Sequence, residues 1–390
     1  MEDRTVGQRL RAIRRWRRKS LRVIAELAGI SESYLSLLER DKRVLDRRSL
    51  IVDLANALQV SPSELMQLSV PAPSDGYTDA AIDAVRGAVQ AVTIGVPAGQ
   101  VQPSEQLAAR CTAVLDAKQR CRHAEVGMTL PALIRDLHTS IAAGRDDAAL
   151  LRLATVLHPQ GTQAYLHGVG APVDLCWSAA RLAGDAAETL DESVSLGIAG
   201  FGQANGLLSW GSFDLARQVL RRSDPPTEDL PLTGMLTLSE SLLAAAEDRG
   251  ADVDAALDQA AEIAARTGET NAHYMSFGPT NVAMWRLSVA LESGDHAGAA
   301  RLAEALNPEE IIAPTRRANY WVNYARAVSP MRGRQDDAVI ALRRAETISA
   351  DKVHRNPIAL DLLVVLRGRA HRDAVGRELR GMLYRAGLGG

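Results

Sequence analysis

The chain has 390 residues, 46% hydrophobic and 24% charged, with a net charge of −2. That length exceeds one ordinary core and predicts two or more domains, and the balance excludes a disordered chain. No apolar run approaches the roughly 18–20 residues that a bilayer-spanning helix needs, and the charged start at Glu2, Asp3 and Arg4 lacks a secretory pattern, so a cytoplasmic protein without membrane contact is expected.

The charge is unevenly placed. Residues 1–69 hold 14 Lys+Arg and 9 Asp+Glu, leaving 31 and 38 for the rest. A basic head on an acidic body implies that only the head meets a polyanion. Only Lys19, Lys42, Lys118 and Lys352 are lysines; the other basic residues are arginines. Cys111, Cys121 and Cys176 lack metal-site spacing and read as reduced, buried structural thiols.

Five short helices are predicted in the head. Val6, Leu10, Ile13 and Trp16 recur at helical spacing in the first. Ser20 caps a second that runs through Ile24, Ala25 and Leu27 to Ala28, and Gly29 supplies a left-handed turn. Ser31 caps a third with Leu35 and Leu38 on one face. Asp46 or Ser49 begins a fourth containing Ile51, Leu54 and Leu58, and Ser61-Pro62 begins a fifth. The stretch SVPAPSDG, Ser69 to Gly76, is the predicted linker, giving a head at 1–68, a linker at 69–77 and a body at 78–390.

The segment IAELAGISESYLSLLER, Ile24 to Arg40, has helix, glycine turn and helix at the spacing that lays a second helix across the first. With GQRLRAIRR at Gly7 and ALQVSPSELM at Ala57, it resembles the Xre/Cro-like helix-turn-helix family over residues 5–68. The resemblance implies a five-helix, lambda-repressor-like domain whose third helix, begun by Ser31, enters the major groove of double-stranded DNA. At the family's base-contact positions stand Glu32, Ser33, Ser36 and Leu37. Glu32 can accept from a cytosine amino group, Ser discriminates little, and Leu37 either touches a thymine methyl or packs against protein. Leu21 replaces the Gln common at the start of the family's second helix. Arg18, Lys19 and Arg22, with Arg40, Lys42 and Arg43, are the candidates for phosphate contacts.

Beyond the linker no segment alternates as a strand would, so the chain is expected to be all-α. Amphipathic helices are punctuated by similar turns at Gly144, Gly211, Gly250, Gly294 and Gly333, the last three intervals being 39, 44 and 39 residues. Such periods predict an α-solenoid of stacked helix pairs, with a non-repeating bundle as the alternative. Asn271, Tyr274, Phe277, Asn281, Trp285, Asn319, Tyr320, Asn323 and Tyr324 concentrate aromatics and carboxamides in one stretch. These read either as a pocket for a peptide or small metabolite or as ordinary inter-helix packing. Phe201, Asn205, Trp210 and Phe213 read as core. The layout is similar to tetratricopeptide-containing regulators with an Xre-type head, and to actinobacterial Xre regulators that carry a stretch like FGPTNV, here Phe277 to Val282. The resemblance implies the architecture, and the favoured reading is a homodimer on an inverted repeat, with the body dimerising and sensing an effector. The rival reading makes the solenoid a protein-interaction scaffold.

Signals for catalysis, cofactor or metal are poor. GIAGFG at Gly197 follows no strand. His371-Arg372-Asp373 lacks the other kinase elements, with Glu378 where an Asn is needed. The eight histidines never fall three or four apart, and Ser209 lacks a nucleophile-elbow pattern. His273 reads as a satisfied, partly buried residue. A non-enzymatic regulator without cofactor is therefore expected.

Overall fold

A computed structural model describes residues 5–66, 76–144, 147–223, 228–368 and 373–388. Most of the predicted linker lies outside the described residues. Helices make up the architecture, and the described residues contain no β-strand.

The head consists of α1 (Val6–Trp16), α2 (Leu21–Leu27), α3 (Glu32–Leu38), α4 (Arg48–Leu58) and α5 (Pro62–Met66). Their inward faces form one core through Leu10, Ile24, Leu35, Leu50, Leu54 and Leu65. Trp16 departs from the expected apolar face: as the last residue of α1 it is 73% exposed, and its indole lies under the Arg17 guanidinium at 4.5 Å.

The body opens with α6 (Tyr77–Thr93), α7 (Ser104–Gln119) and α8 (His123–Ala142). Next come α9 (Asp147–Val156), a fully buried π-helical stretch at Leu157–Gln163, and α10 (Ala164–Gly168). Pro159 has no amide proton to donate, and such a residue inside a rod favours local unwinding. Then follow α11 (Val173–Leu190), α12 (Ser193–Trp210) and α13 (Phe213–Arg222). After them come the hairpins α14 (Leu230–Ala246) with α15 (Gly250–Thr267), α16 (Pro279–Glu292) with α17 (His296–Glu304), and α18 (Pro314–Val328) with α19 (Gln335–Ile348). Short α20 (Asp351–His354), α21 (Pro357–Arg367) and α22 (Ala374–Arg385) complete the body.

Within each hairpin the two helices pack together, and α12, α14, α16 and α18 stack on one another in series. That is a helical-repeat arrangement, in which each unit buries its apolar face against the next. Gly144, Gly211, Gly294 and Gly333 all take the left-handed conformation expected of a turn. Gly250 does not: it begins α15, and Asp248 two residues earlier supplies the positive φ of 57°. The glycines of GIAGFG lie inside α12 and serve close packing. A β-carbon on Gly202 would meet Pro159 of the π-helical stretch at 2.6 Å, and one on Gly200 would overlap Ser223.

The solenoid curls until its beginning meets its end. Gln119 Nε2 donates to Asn271 Oδ1 at 3.0 Å and to the Tyr274 carbonyl at 3.1 Å. His123 Nδ1 lies 2.6 Å from Asp351 Oδ2, and Arg355 Nη1 donates to Asp79 Oδ1 at 3.0 Å. The α6–α8 end thus touches the segment before α16 and the α20 region directly.

Candidate nucleic-acid interface

Local capping builds the α2–turn–α3 unit. Ser20 Oγ accepts from the Val23 amide and Ser31 Oγ from the Tyr34 amide, both at 3.2 Å, so each helix begins where its capping serine stands. Between them Gly29 has φ 64°, and the Ile30 amide donates to the Ala25 carbonyl at 2.9 Å. Leu35 and Leu38 are buried, which turns the opposite side of α3 outward.

Contacts from α1 then fix the position of α3. Arg14 Nη2 donates to Glu39 Oε2 at 2.7 Å, and both side chains are largely buried. Thr5 Oγ1 donates to Asp41 Oδ2 at 3.0 Å while accepting from the Gln8 amide at 3.1 Å. Between these ties Gly7 lets the two helices approach; a β-carbon there would overlap the Leu38 carbonyl oxygen. Gly7→Ala is therefore expected to force α1 off α3 and to destabilise the protein by about 1–3 kcal/mol. Urea denaturation checks this, and an unchanged midpoint would contradict it. Glu39, Asp41 and Arg14 did not stand out in the sequence, since nothing in a charged surface pattern shows which charges turn inward.

Glu32, Ser33 and Arg40 are exposed on the outward side of α3, and Ser36 and Leu37 are half-buried. Ser31 and Ser33 share a hydroxyl contact of 3.0 Å, and Arg40 Nε donates back to the Ser36 carbonyl at 3.0 Å. Arg18, Lys19 and Arg22 are exposed before and within α2, Arg22 being paired with Glu26 at 2.8 Å. Lys42 and Arg43 are exposed at the far end of α3 and border a narrow cleft with Asp46, His296 and Arg326. A basic rim thus flanks a polar helix face on both sides, as groove binding requires.

The head is seated on the body through the segment after α3, beside Lys42 and Arg43, which border the cleft at this seam. Arg326 of α18 reaches Asp46 with Nε at 3.2 Å from Oδ2 and Nη2 at 2.9 Å from the carbonyl, and both side chains are buried. Glu292, at the end of α16, accepts from the Ser49 amide at 3.1 Å and from Arg48 Nη1 at 3.0 Å. Asp361 of α21 accepts from the Leu45 amide at 2.9 Å. The fourth helix therefore begins differently from the expectation that Asp46 or Ser49 starts it. Its N-terminus carries no side-chain cap of its own, and a carboxylate from the body fills that role.

The nine residues gathered as a possible effector pocket are placed as follows. Phe277 is fully buried in the core, and its ring closes over Gly234. Asn281 is buried, accepting from Arg316 Nη1 at 2.7 Å and donating to the Met235 sulfur at 3.2 Å. Tyr320 is buried and donates to the Ala303 carbonyl at 2.9 Å. Asn323 joins Ser288 to Arg326, and Asn271 pairs with Gln119. Trp285 packs half-buried on the body core, Tyr324 stacks on Tyr320 at 6.3 Å, Tyr274 is half-buried and Asn319 is exposed. Most of their polar groups are already paired internally, so the cluster reads as packing. His273 is half-buried against Asp229, the arrangement expected of it. In the second cluster Asn205 donates to the Phe201 carbonyl, Trp210 lies 6.4 Å from Trp177, and Phe213 packs against the core. Cys111 and Cys176 are buried thiols and Cys121 is half-buried.

Residues 5–68 match the family of helix-turn-helix domains, over the span of α1 to α5. This part of the chain is a helix-turn-helix domain, which supports an Xre-like DNA-binding regulator. A search of curated proteins and of solved structures gives no match for the chain. No helix among the described residues is long and apolar enough to cross a membrane.

Proposed function

We propose that the protein is a cytoplasmic, homodimeric transcriptional regulator that acts by binding and not by catalysis. In this reading α3 reads base edges in the major groove of an inverted repeat, one half-site per head, and the body dimerises and answers to a small effector. The single observation behind the DNA reading is the exposed Glu32–Ser33 side of α3, with Arg40 just past its end, between two basic rims. The observation behind the effector reading is the seating of the head on α16, α18 and α21 through buried charges, since a ligand that favours one seating over another shifts the spacing of the two heads.

Footprinting on the promoter beside the gene tests the DNA reading. Two protected half-sites about one helical turn apart are expected, and Glu32→Ala with Ser33→Ala should relax sequence preference. Arg18→Ala with Lys19→Ala should instead weaken binding to every sequence and lower the slope of log K against log salt by about 2. Binding that ignores both pairs of substitutions would sink the proposal. Sedimentation of the free protein as a monomer, with a single protected half-site, would remove the dimer.

A further inference from the structure

A cavity of about 170 Å³ opens between the C-terminal half of α6 and the first turns of α11. Part of its lining is apolar. Val89 and Leu175 are buried, and Ile94, just past the end of α6, keeps 74% of its surface exposed. The rest is polar and comes from both helices: Arg86 and Gln90 from α6, Asp174 from α11.

The two charges in this lining are not spent on each other. Arg86 Nε lies 3.6 Å from Asp83 Oδ1, one turn back on the same helix, and Asp83 is 77% exposed. A solvated pair of that kind contributes little, and it leaves the other guanidinium donors open to a ligand. The Arg86 side chain is itself only 33% exposed, so it is held against the protein and not spread into solvent. Across the cavity, the Asp174 carboxylate makes no ion pair or hydrogen bond among the described residues; Ser178 Oγ donates to the Asp174 backbone carbonyl, at 2.9 Å. The Gln90 carboxamide is likewise unpaired among the described residues.

A guanidinium and a carboxylate that line one cavity without meeting, with apolar surface beside them, form the complement of a zwitterion. Arg86 suits a carboxylate, Asp174 suits an ammonium, and Val89 and Leu175 suit a short hydrocarbon side chain. Size narrows the class. A cavity of about 150 Å³ admits a benzene-sized molecule, so this one admits a ligand of roughly six to nine non-hydrogen atoms.

We propose that this cavity binds a free aliphatic α-amino acid of the size of valine or leucine, its carboxylate on Arg86 and its ammonium on Asp174. A ligand held by both helices fixes α6 against α11. The start of α6 is already tied through Asp79 to Arg355, between α20 and α21, at 3.0 Å, and α21 carries the Asp361 that bonds the head. The proposal names the effector class for the function proposed above and rests on that reading only for its regulatory consequence. Binding measured without DNA tests the site alone.

The test is calorimetric titration of the full chain with L-valine and L-leucine. At least one should bind saturably at a single site per chain. Two analogues of leucine, 4-methylpentanoate without the ammonium and isoamylamine without the carboxylate, should bind at least about tenfold more weakly, since each leaves one charged group unmatched. The dipeptide leucyl-leucine exceeds the cavity and should also bind more weakly. Arg86→Gln and Asp174→Asn should each weaken leucine at least about tenfold with an unchanged urea midpoint, because neither side chain is buried. The analogue comparison uses the parent protein, so it decides the matter whatever the substitutions do to the fold. The proposal fails if neither amino acid binds saturably, if a single-ended analogue or the dipeptide binds as well as leucine, or if either substitution leaves the affinity unchanged.

Discussion

Arg326→Met is expected to loosen the head from the body and to lower stability by about 3–5 kcal/mol, far more than a surface arginine would cost. The arginine makes two bonds to Asp46 and one to Asn323, at 3.0 Å. Removing it leaves the Asp46 carboxylate buried with its counter-charge gone, and an unpaired buried charge costs more than the pair contributed. Surface ion pairs of this protein, such as Arg22 with Glu26, lie at the other extreme, worth a few tenths of a kcal/mol. Urea denaturation gives the size of the effect, and hydrogen exchange locates it: the Leu45 and Ser49 amides, bonded to Asp361 and Glu292, should exchange faster. A loss below about 1 kcal/mol with unchanged exchange at both amides would mean that the head is held by apolar contact alone.

Asp361→Asn should abolish a pH dependence that the parent shows between about pH 4 and 8. Burial pushes the Asp361 carboxyl from its ordinary 3.8 up to about 8; the Leu45 amide opposes this, and Asp41 and Asp46 add to it. The folded protein therefore holds a proton that the unfolded chain releases above about pH 4. Its contribution to stability is complete below that point, declines as pH rises, and is lost once pH passes about 8. Each pH unit inside the window removes at most about 1.4 kcal/mol. Asparagine is neutral throughout and can still offer an oxygen to the Leu45 amide. The variant should therefore show a flatter profile and exceed the parent in stability at pH 8–9. Parallel profiles for parent and variant would show that Asp361 is charged in the folded state.

Because Leu45 precedes α4 and Asp361 lies in α21, this titration acts at the seam between head and body. A rise in pH through the same window should weaken the seating as well as the fold. Arg326→Met and high pH are thus two routes to a loosened head, one by removing a cation and one by creating an anion.

The helix-turn-helix unit was legible in residue order because its determinants are local. Ser20, Gly29 and Ser31 act on amides within a few positions of themselves, and Leu35 and Leu38 recur at helical spacing, so each element could be read without its neighbours. The solenoid was legible for a similar reason, since its turns repeat. What the chain order could not reveal is every group whose partner lies hundreds of residues away. Glu292 completes the start of α4 from 243 positions downstream, and Asp361 meets Leu45 across 316. Trp16, apolar by type, is left mostly in solvent at the end of α1, with the Arg17 guanidinium over its ring. The aromatic and asparagine stretch, open in chain order between pocket and packing, is held by internal bonds such as Arg316 to Asn281. Short-range hydrogen bonding and periodicity are written into neighbouring residues. Which charges turn inward, and what they face, is decided only when distant helices close on one another, because the energy of a charge depends on its surroundings and not on its place in the chain.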